Sequence, residues 1–187
     1  MLKILYATLI VLFLYNAVLP ARAAQNAPHN DVTDMIAGKN DMLAVLINRE
    51  GNHGELVQFL HTHISDEATF LVTVKDQTTG MDDKSPAMQL TKADYINSYL
   101  QGAHLIKDYK VAIDTLSVAY DQDNKQAVSI DVMTERGMMI NPAGSQNTSP
   151  RIFISRTTCR TLHKITDDKA VSQGSACHTD ISYEEQA

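Results

Sequence analysis

The chain has 187 residues, with 16 Lys and Arg against 22 Asp and Glu, a formal net charge of −6 and no tryptophan. That length suits one domain and is enough to bury a sizeable core. An acidic balance, with no run of Lys or Arg interleaved with aromatics, repels phosphate backbones and argues against nucleic acid as a partner.

The chain opens MLKILYATLIVLFLYNAVLPARAAQ: an early Lys3, an apolar run from Ile4 to Leu19, then Pro20 and Ala21-Arg22-Ala23. A basic start, an apolar centre and an A-x-A site are the layout of a secretory signal peptide, with cleavage expected after Ala23 or Ala24. The run is shorter than the about 20 apolar residues of a membrane span, and Tyr6, Thr8, Tyr15 and Asn16 interrupt it. No cysteine follows it, which argues against a lipid anchor. Residues 1–23 thus read as a signal peptide, 24–30 as a flexible lead-in and 31–187 as a single domain. Removing Lys3 and Arg22 from the 16 basic residues leaves 14 against 22 acidic ones. No second apolar stretch of membrane length remains, so the expectation is an exported, soluble protein, most simply of the bacterial periplasm.

From Asp31, a plausible N-cap, the chain is helical in pattern, with apolar residues at Val32, Met35 and Ile36 and then at Met42, Leu43, Val45, Leu46 and Ile47, until Gly51 breaks it. A shorter helix carries Leu56, Val57, Phe59 and Leu60 and ends near Ser65-Asp66. The period then changes to two, and ATFLVTVKD (68–76) reads as a strand. A polar loop follows. Thr91 and Asp94 form a capping-box variant that opens a third helix, with Tyr95, Ile96, Tyr99 and Leu100 on its apolar face and Gly102 at its end. Tyr109, Val111 and Ile113 alternate, and then Leu116, Val118 and Tyr120 alternate on the other parity, which predicts a bulge near Asp114–Thr115. DQDN (121–124) is a turn, and 127–133 is a strand. A loop over 137–150 precedes strands at 151–165 and 170–183. Strands joined by short turns pair antiparallel. The predicted fold class is therefore α+β: a curved antiparallel sheet of about four to five strands wrapped around three N-terminal or inserted helices.

Two stretches carry a resemblance. GNHGELVQFLHTHISDEATFLVTV and ADYINSYLQGAHLIKDYKVAIDTLSVAYDQDNKQAVSIDV resemble the nuclear transport factor two-like (SnoaL-like, cystatin-like) superfamily across nearly all of 31–183. The resemblance implies a cone of helices and curved sheet with a pocket between them. Its members include isomerases, cyclases, dehydratases and adaptors, so fold does not select function. The expected role is a non-catalytic binding module, holding a small apolar ligand in the cone or a protein partner on the sheet, with a homodimer through the sheet face. A pocket enzyme of isomerase, dehydratase or hydrolase type, or an adaptor in a cell-envelope assembly, is the alternative.

Within such a cone, Tyr95, Tyr99, Tyr109, Tyr120 and Asp131 are the candidate pocket residues. No nucleophile elbow or other local catalytic motif is present, so no catalytic residue is assigned. His61 and His63, two apart, cannot jointly hold a metal from one helix, where i, i+4 spacing is needed. They read as surface or satisfied histidines. Asp82-Asp83, Asp121/Asp123 and Asp167-Asp168 lack the ligand series of a calcium loop and read as turn formers. Asn147-Thr148-Ser149 fits a glycosylation sequon.

Cys159 and Cys177, with His163 and His178 nearby, admit a metal, redox or staple reading. Cys159 and His163 would lie about 13 Å apart along a strand, and residues 177 and 178 point to opposite faces, so one metal centre cannot collect all four. The C-x-x-C spacing of a redox pair is absent. A three-residue turn at 167–169 would set Thr166 opposite Ala170, and the same index sum, 336, sets Cys159 opposite Cys177. A disulfide is therefore expected, with no metal and no cofactor.

Overall fold

The computed structural model describes residues 28–49, 51, 53–77, 87–139 and 151–185. The leader with Ala23 and Ala24, residues 24–27, Asp82-Asp83 and the sequon at Asn147 lie outside the described residues.

Helix α1 spans Pro28–Asn48 and α2 His53–His63. Pro28 tolerates the first turn because its missing N–H would have no intrahelical partner there. The helix therefore starts three residues before the expected cap at Asp31, inside the expected lead-in. Gly51 at φ 76° ends the segment in the left-handed region that only glycine adopts freely. Val32, Ile36 and Asn40 are buried at four-residue intervals along one stripe of α1, and Leu46 is buried further along the helix.

Strand β1 (Ile64–Asp76) follows α2 directly, and its first residue already pairs with Ser172. That pairing carries the strand four residues back from the predicted start. A short strand β2 (Met88–Thr91), read as loop from the sequence, pairs antiparallel with β1 and leads into α3 (Lys92–Leu105). The capping box forms as expected: Asp94 N donates to Thr91 Oγ1 at 3.2 Å, and Thr91 N donates to Asp94 Oδ2 at 3.1 Å. The helix runs past Gly102, where it was expected to stop.

The remaining strands are β3 (Ile106–Asp121), β4 (Gln126–Met139), β5 (Arg151–Ile165) and β6 (Ala170–Glu185). Among the described residues the fold is α+β, with a curved, unclosed sheet of six strands in the order β2-β1-β6-β5-β4-β3. β3 to β6 form an antiparallel meander of four strands in chain order and β1 pairs antiparallel with β2, but β1 lies parallel to β6. The antiparallel rule applied to short turns, and this pair is joined through α3 and the whole meander.

Two details of register decide what faces inward. In β3 the pairing slips between Thr115 and Ser117, leaving Leu116 as the extra residue and producing the predicted change of parity. In the β5–β6 hairpin, Thr166 N donates to Lys169 O at 2.9 Å and Ile165 pairs with Ala170, one step tighter than predicted. An irregularity at Gln173, between the His163–Ser172 and Leu162–Gly174 pairs, restores the index sum. Cys159 therefore meets Cys177 as predicted, disulfide-bonded with a Cα separation of 4.1 Å. A side chain at Gly174 would bring its Cβ to 2.6 Å from Thr69 O, so only glycine lets β1 pack here.

Two apolar clusters hold helices to sheet. Leu46, Leu56, Leu60, Ile64, Phe70 and Ile96 join α1, α2, β1 and α3. Val32, Ile36, Ala127, Ile165 and Ala170 join the start of α1 to the β3–β6 end, with Tyr120 packed against them. Ile36 is fully buried, worth roughly 1.5–3 kcal/mol of transfer free energy. A third tie is ionic. Lys92, at the start of α3, donates through Nζ to His61 O (2.9 Å), Ile64 O (2.7 Å) and Asp66 Oδ1 (2.8 Å). Its charge sits at the C-terminal end of α2, where the helix dipole favours a cation.

Candidate functional site

Between the helices and the concave sheet lies a cavity of about 90 Å³, room for several waters or one small organic molecule. Its walls are apolar and aromatic: Leu43 from α1, Phe59 from α2, Phe70 from β1, Tyr95 from α3, Ile113 from β3 and Met133 from β4. Phe70 and Tyr95 stack face to face with ring centroids 4.0 Å apart, and Tyr95 meets Tyr99 edge-on at 5.2 Å. The two phenol oxygens lie 3.3 Å apart, and Tyr99 donates to Met133 Sδ at 3.6 Å. Burial pushes both phenols above their ordinary range, so neither ionises near neutral pH.

At the other end the polar groups form one hydrogen-bonded chain. Strand alternation turns Ser129 and Asp131 of β4 and Thr161 and His163 of β5 to the concave side, where Asn40 and Lys39 of α1 meet them. Asp131 Oδ1 accepts from Asn40 Nδ2 at 2.8 Å and from Thr115 Oγ1 at 2.9 Å, and Oδ2 accepts from Ser129 Oγ at 2.5 Å. Ser129 Oγ lies 2.9 Å from His163 Nε2, and His163 Nδ1 lies 3.3 Å from Lys39 Nζ, which also donates to Ser172 Oγ at 3.0 Å. The tautomer follows from this chain. An ammonium can only donate, so His163 accepts at Nδ1 and donates from Nε2–H to Ser129, whose hydroxyl donates to Asp131. Serine and imidazole thus bridge a half-buried cation to a buried carboxylate.

His163 is fully buried, and desolvation, helped by the Lys39 charge, lowers its pKa to about 2. It is a neutral hydrogen-bond bridge and not a proton acceptor at physiological pH. Lys39 is lowered to about 8 by burial, with the Asp131 carboxylate opposing the shift. His63, also lining the cavity, stacks on Phe59 at 4.1 Å and lies 3.0 Å from Phe59 O. Its pKa is lowered, by burial first.

Of the five predicted pocket residues, Tyr95, Tyr99 and Asp131 line the cavity. Tyr109 lines a separate cleft near Asn48 and donates to Glu135, whose other oxygen accepts from Ser155. Burial and the Glu135 charge raise its pKa. Tyr120 belongs to the apolar cluster beneath α1. Lys39, Asn40, His63, Ser129, His163 and Ser172 were not singled out as pocket residues. For His163 and Ser129 the signal existed, since both share the parity of Asp131 and Cys159 in paired strands. For Lys39 none did: a lysine among α1's polar positions reads as solvated. The paired cysteines sit beside the site, Cys159 being the β5 partner of Asp131 and part of the cavity wall. Among the described residues no group of three His, Cys, Asp or Glu is placed to hold a metal ion, and no helix is long and apolar enough to cross a membrane.

No protein-family model matches the chain, and no curated protein matches it. Solved structures do. The chain is similar to the β subunit of a protein assigned as an aromatic-ring-hydroxylating dioxygenase from Novosphingobium aromaticivorans, at 11% identity over 82% of this chain and 92% of that one, TM-score 0.56. A protein assigned as a scytalone dehydratase from the same organism matches at 6% identity over 86% and 88%, TM-score 0.52. A protein with a cystatin-like fold from Caulobacter vibrioides matches at 11% identity over 81% and 89%, TM-score 0.50. At such identities the likeness concerns the fold alone, and that fold houses enzymes as well as proteins of unknown function. With its helices and unclosed, curved sheet, the chain has the nuclear transport factor two-like, cystatin-like fold that its sequence resembles.

Proposed function

We propose that the protein is a small-molecule binding module whose ligand lies in the cone, its apolar body against Phe59, Phe70 and Tyr95 and its polar end toward Lys39. The observation that carries this reading is the division of the cavity: aromatic walls on one side, and on the other a polar chain whose members already satisfy one another. Among the described residues no buried side-chain nitrogen or oxygen lacks a partner, so the polar end is organised before any ligand arrives. The test is thermal unfolding of the mature protein against a panel of small aromatic and aliphatic compounds. A ligand at 100 times its Kd stabilises by about 2.7 kcal/mol, and the shift should vanish when the cavity is filled by Leu43→Trp. A panel that leaves Tm unmoved in the wild type overturns the proposal.

A second reading, a pocket enzyme, is supported by Lys39, whose pKa burial lowers to about 8 beside the cavity. Turnover that disappears in Lys39→Met while ligand binding persists would select it. Export into an oxidising compartment is supported by the leader pattern and by the Cys159–Cys177 bond. Mass spectrometry of protein from its own source reads the cleavage site and thiol count. For a homodimer through the outer sheet face, or an envelope partner there, the support is the exposure of Leu116 and Ile130, and native mass spectrometry reads the assembly.

A further inference from the structure

We propose that Lys39 is a covalent docking point for a small carbonyl ligand: its amine condenses with an aldehyde or ketone held in the cone to form an imine. This rests on the cavity being a ligand site and adds the chemical class of what fills it.

The argument starts from a contrast between two lysines. Lys92 is held as a structural cation by two backbone carbonyls and the Asp66 carboxylate. Three acceptors need three N–H donors, and a neutral amine has only two, so that site requires the ammonium. Lys39 has different company. Its Nζ meets His163 Nδ1 and the Ser172 hydroxyl, and no carboxylate of the described residues is within ion-pair distance of it. The neutral amine fits here without leaving an orphan: one N–H serves His163, and the Ser172 hydroxyl can donate to the nitrogen lone pair. The site thus accommodates the nucleophilic form as well as the charged one. Burial lowers the pKa to about 8, so at pH 7 the free-amine fraction is roughly 300-fold that of an ordinary lysine.

Position supplies the rest. Lys39 lines the aromatic cavity and also borders an outer groove of about 580 Å³ between α1 and α2, with Met42, Gln58 and Lys169. A ligand in the cavity has the amine beside it, and the amine stands next to solvent. In the step itself the Lys39 nitrogen attacks the carbonyl carbon and loses its protons. The carbinolamine oxygen takes up two protons and leaves as water, and a carbon–nitrogen double bond remains. A protonated imine keeps the positive charge where the ammonium had it, opposite the Asp131 carboxylate at the far end of the His163–Ser129 bridge.

The test treats the mature protein with benzaldehyde and sodium cyanoborohydride, which reduces an imine to a stable secondary amine, followed by peptide mapping. The expected result is one adduct, on Lys39, formed at least about tenfold faster than on any other lysine. Its rate should climb with pH through about 8. Excess toluene, which fills the same walls without a carbonyl, should suppress it, and Lys39→Arg should abolish it with the circular dichroism unchanged. Labelling spread over surface lysines, or no preference for Lys39, overturns the inference. Toluene also separates the two levels of the argument. A toluene-induced rise in Tm without a Lys39 adduct sinks the imine and leaves the ligand site standing. No rise in Tm with toluene and no adduct sinks both.

Discussion

His163 makes the protein's stability depend on pH in a window that can be isolated. Its pKa is lowered from 6.5 to about 2 by burial and by the Lys39 charge. The unfolded chain therefore binds a proton at this residue below pH 6.5, and the folded protein does not. Stability associated with the neutral ring is fully present above pH 6.5 and is lost as the pH falls toward 2. The slope is about 1.4 kcal/mol per pH unit once the unfolded imidazole is mostly protonated, and the loss between pH 8 and pH 5 is about 2 kcal/mol. The perturbation is His163→Gln, whose amide can accept from Lys39 and donate to Ser129 as the ring does, without titrating. Urea unfolding followed by circular dichroism at pH 8, 6 and 5 would be compared for the two proteins, since the other histidines and the carboxylates contribute equally to both. The variant should be less stable than the wild type at pH 8, and the gap should narrow by about 2 kcal/mol at pH 5. Parallel curves, with the gap unchanged across this range, would show that His163 takes up its proton in the folded protein as readily as in the unfolded chain and would refute the neutral bridge.

Other parts of the structure have their own expected outcomes. Replacing both Cys159 and Cys177 by serine opens a link with a sequence separation of 18 and should cost about 3 kcal/mol by the chain-entropy relation, read as a lower urea midpoint that the wild type matches only when reduced. Gly174→Ala drives a Cβ toward Thr69 O at 2.6 Å. It should destabilise by roughly 1–3 kcal/mol and raise amide exchange in β1 before the rest of the sheet, and exchange unchanged in β1 would count against the close approach. Lys92→Met strands two carbonyls and should lower stability by about 2–4 kcal/mol. The Asp66 carboxyl, held below the usual range by its hydrogen bond to Lys92, should then titrate at its ordinary value by NMR.

Periodicity and punctuation in the chain carried much of this architecture. Helical spacing gave α1 and α2, two-residue alternation gave β3 and part of β4, loop and turn signals bounded β5 and β6, and the change of parity after Ile113 located the bulge that appears at Leu116. These signals are local, so a sequence can express them. The disulfide pairing was legible too, although the turn is one step tighter than expected and the Gln173 irregularity compensates. Short β2 was missed because four residues are too few to show a period, and the parallel β1–β6 pair because nothing local encodes a partner more than a hundred positions away.

The site divides in the same way. Tyr95 and Tyr99 could be placed from their helix face, and strand parity left Asp131 facing either solvent or the cone, whereas Tyr109 and Tyr120 carry similar local signals yet face other surroundings. The sequence by itself determined the fold class and the cysteine partnership, because each follows from residue type and a fixed geometric period, whereas strand parity grouped Ser129 with Asp131 without saying which face turns inward. Only the tertiary structure decided that Lys39 leaves the solvated side of α1 to meet His163 and Ser172. That meeting depends on how a helix rolls against a sheet folded from the far end of the chain. Its consequence, an amine made neutral-tolerant by burial and by its two partners, is a property of the assembled cavity and of no segment within it.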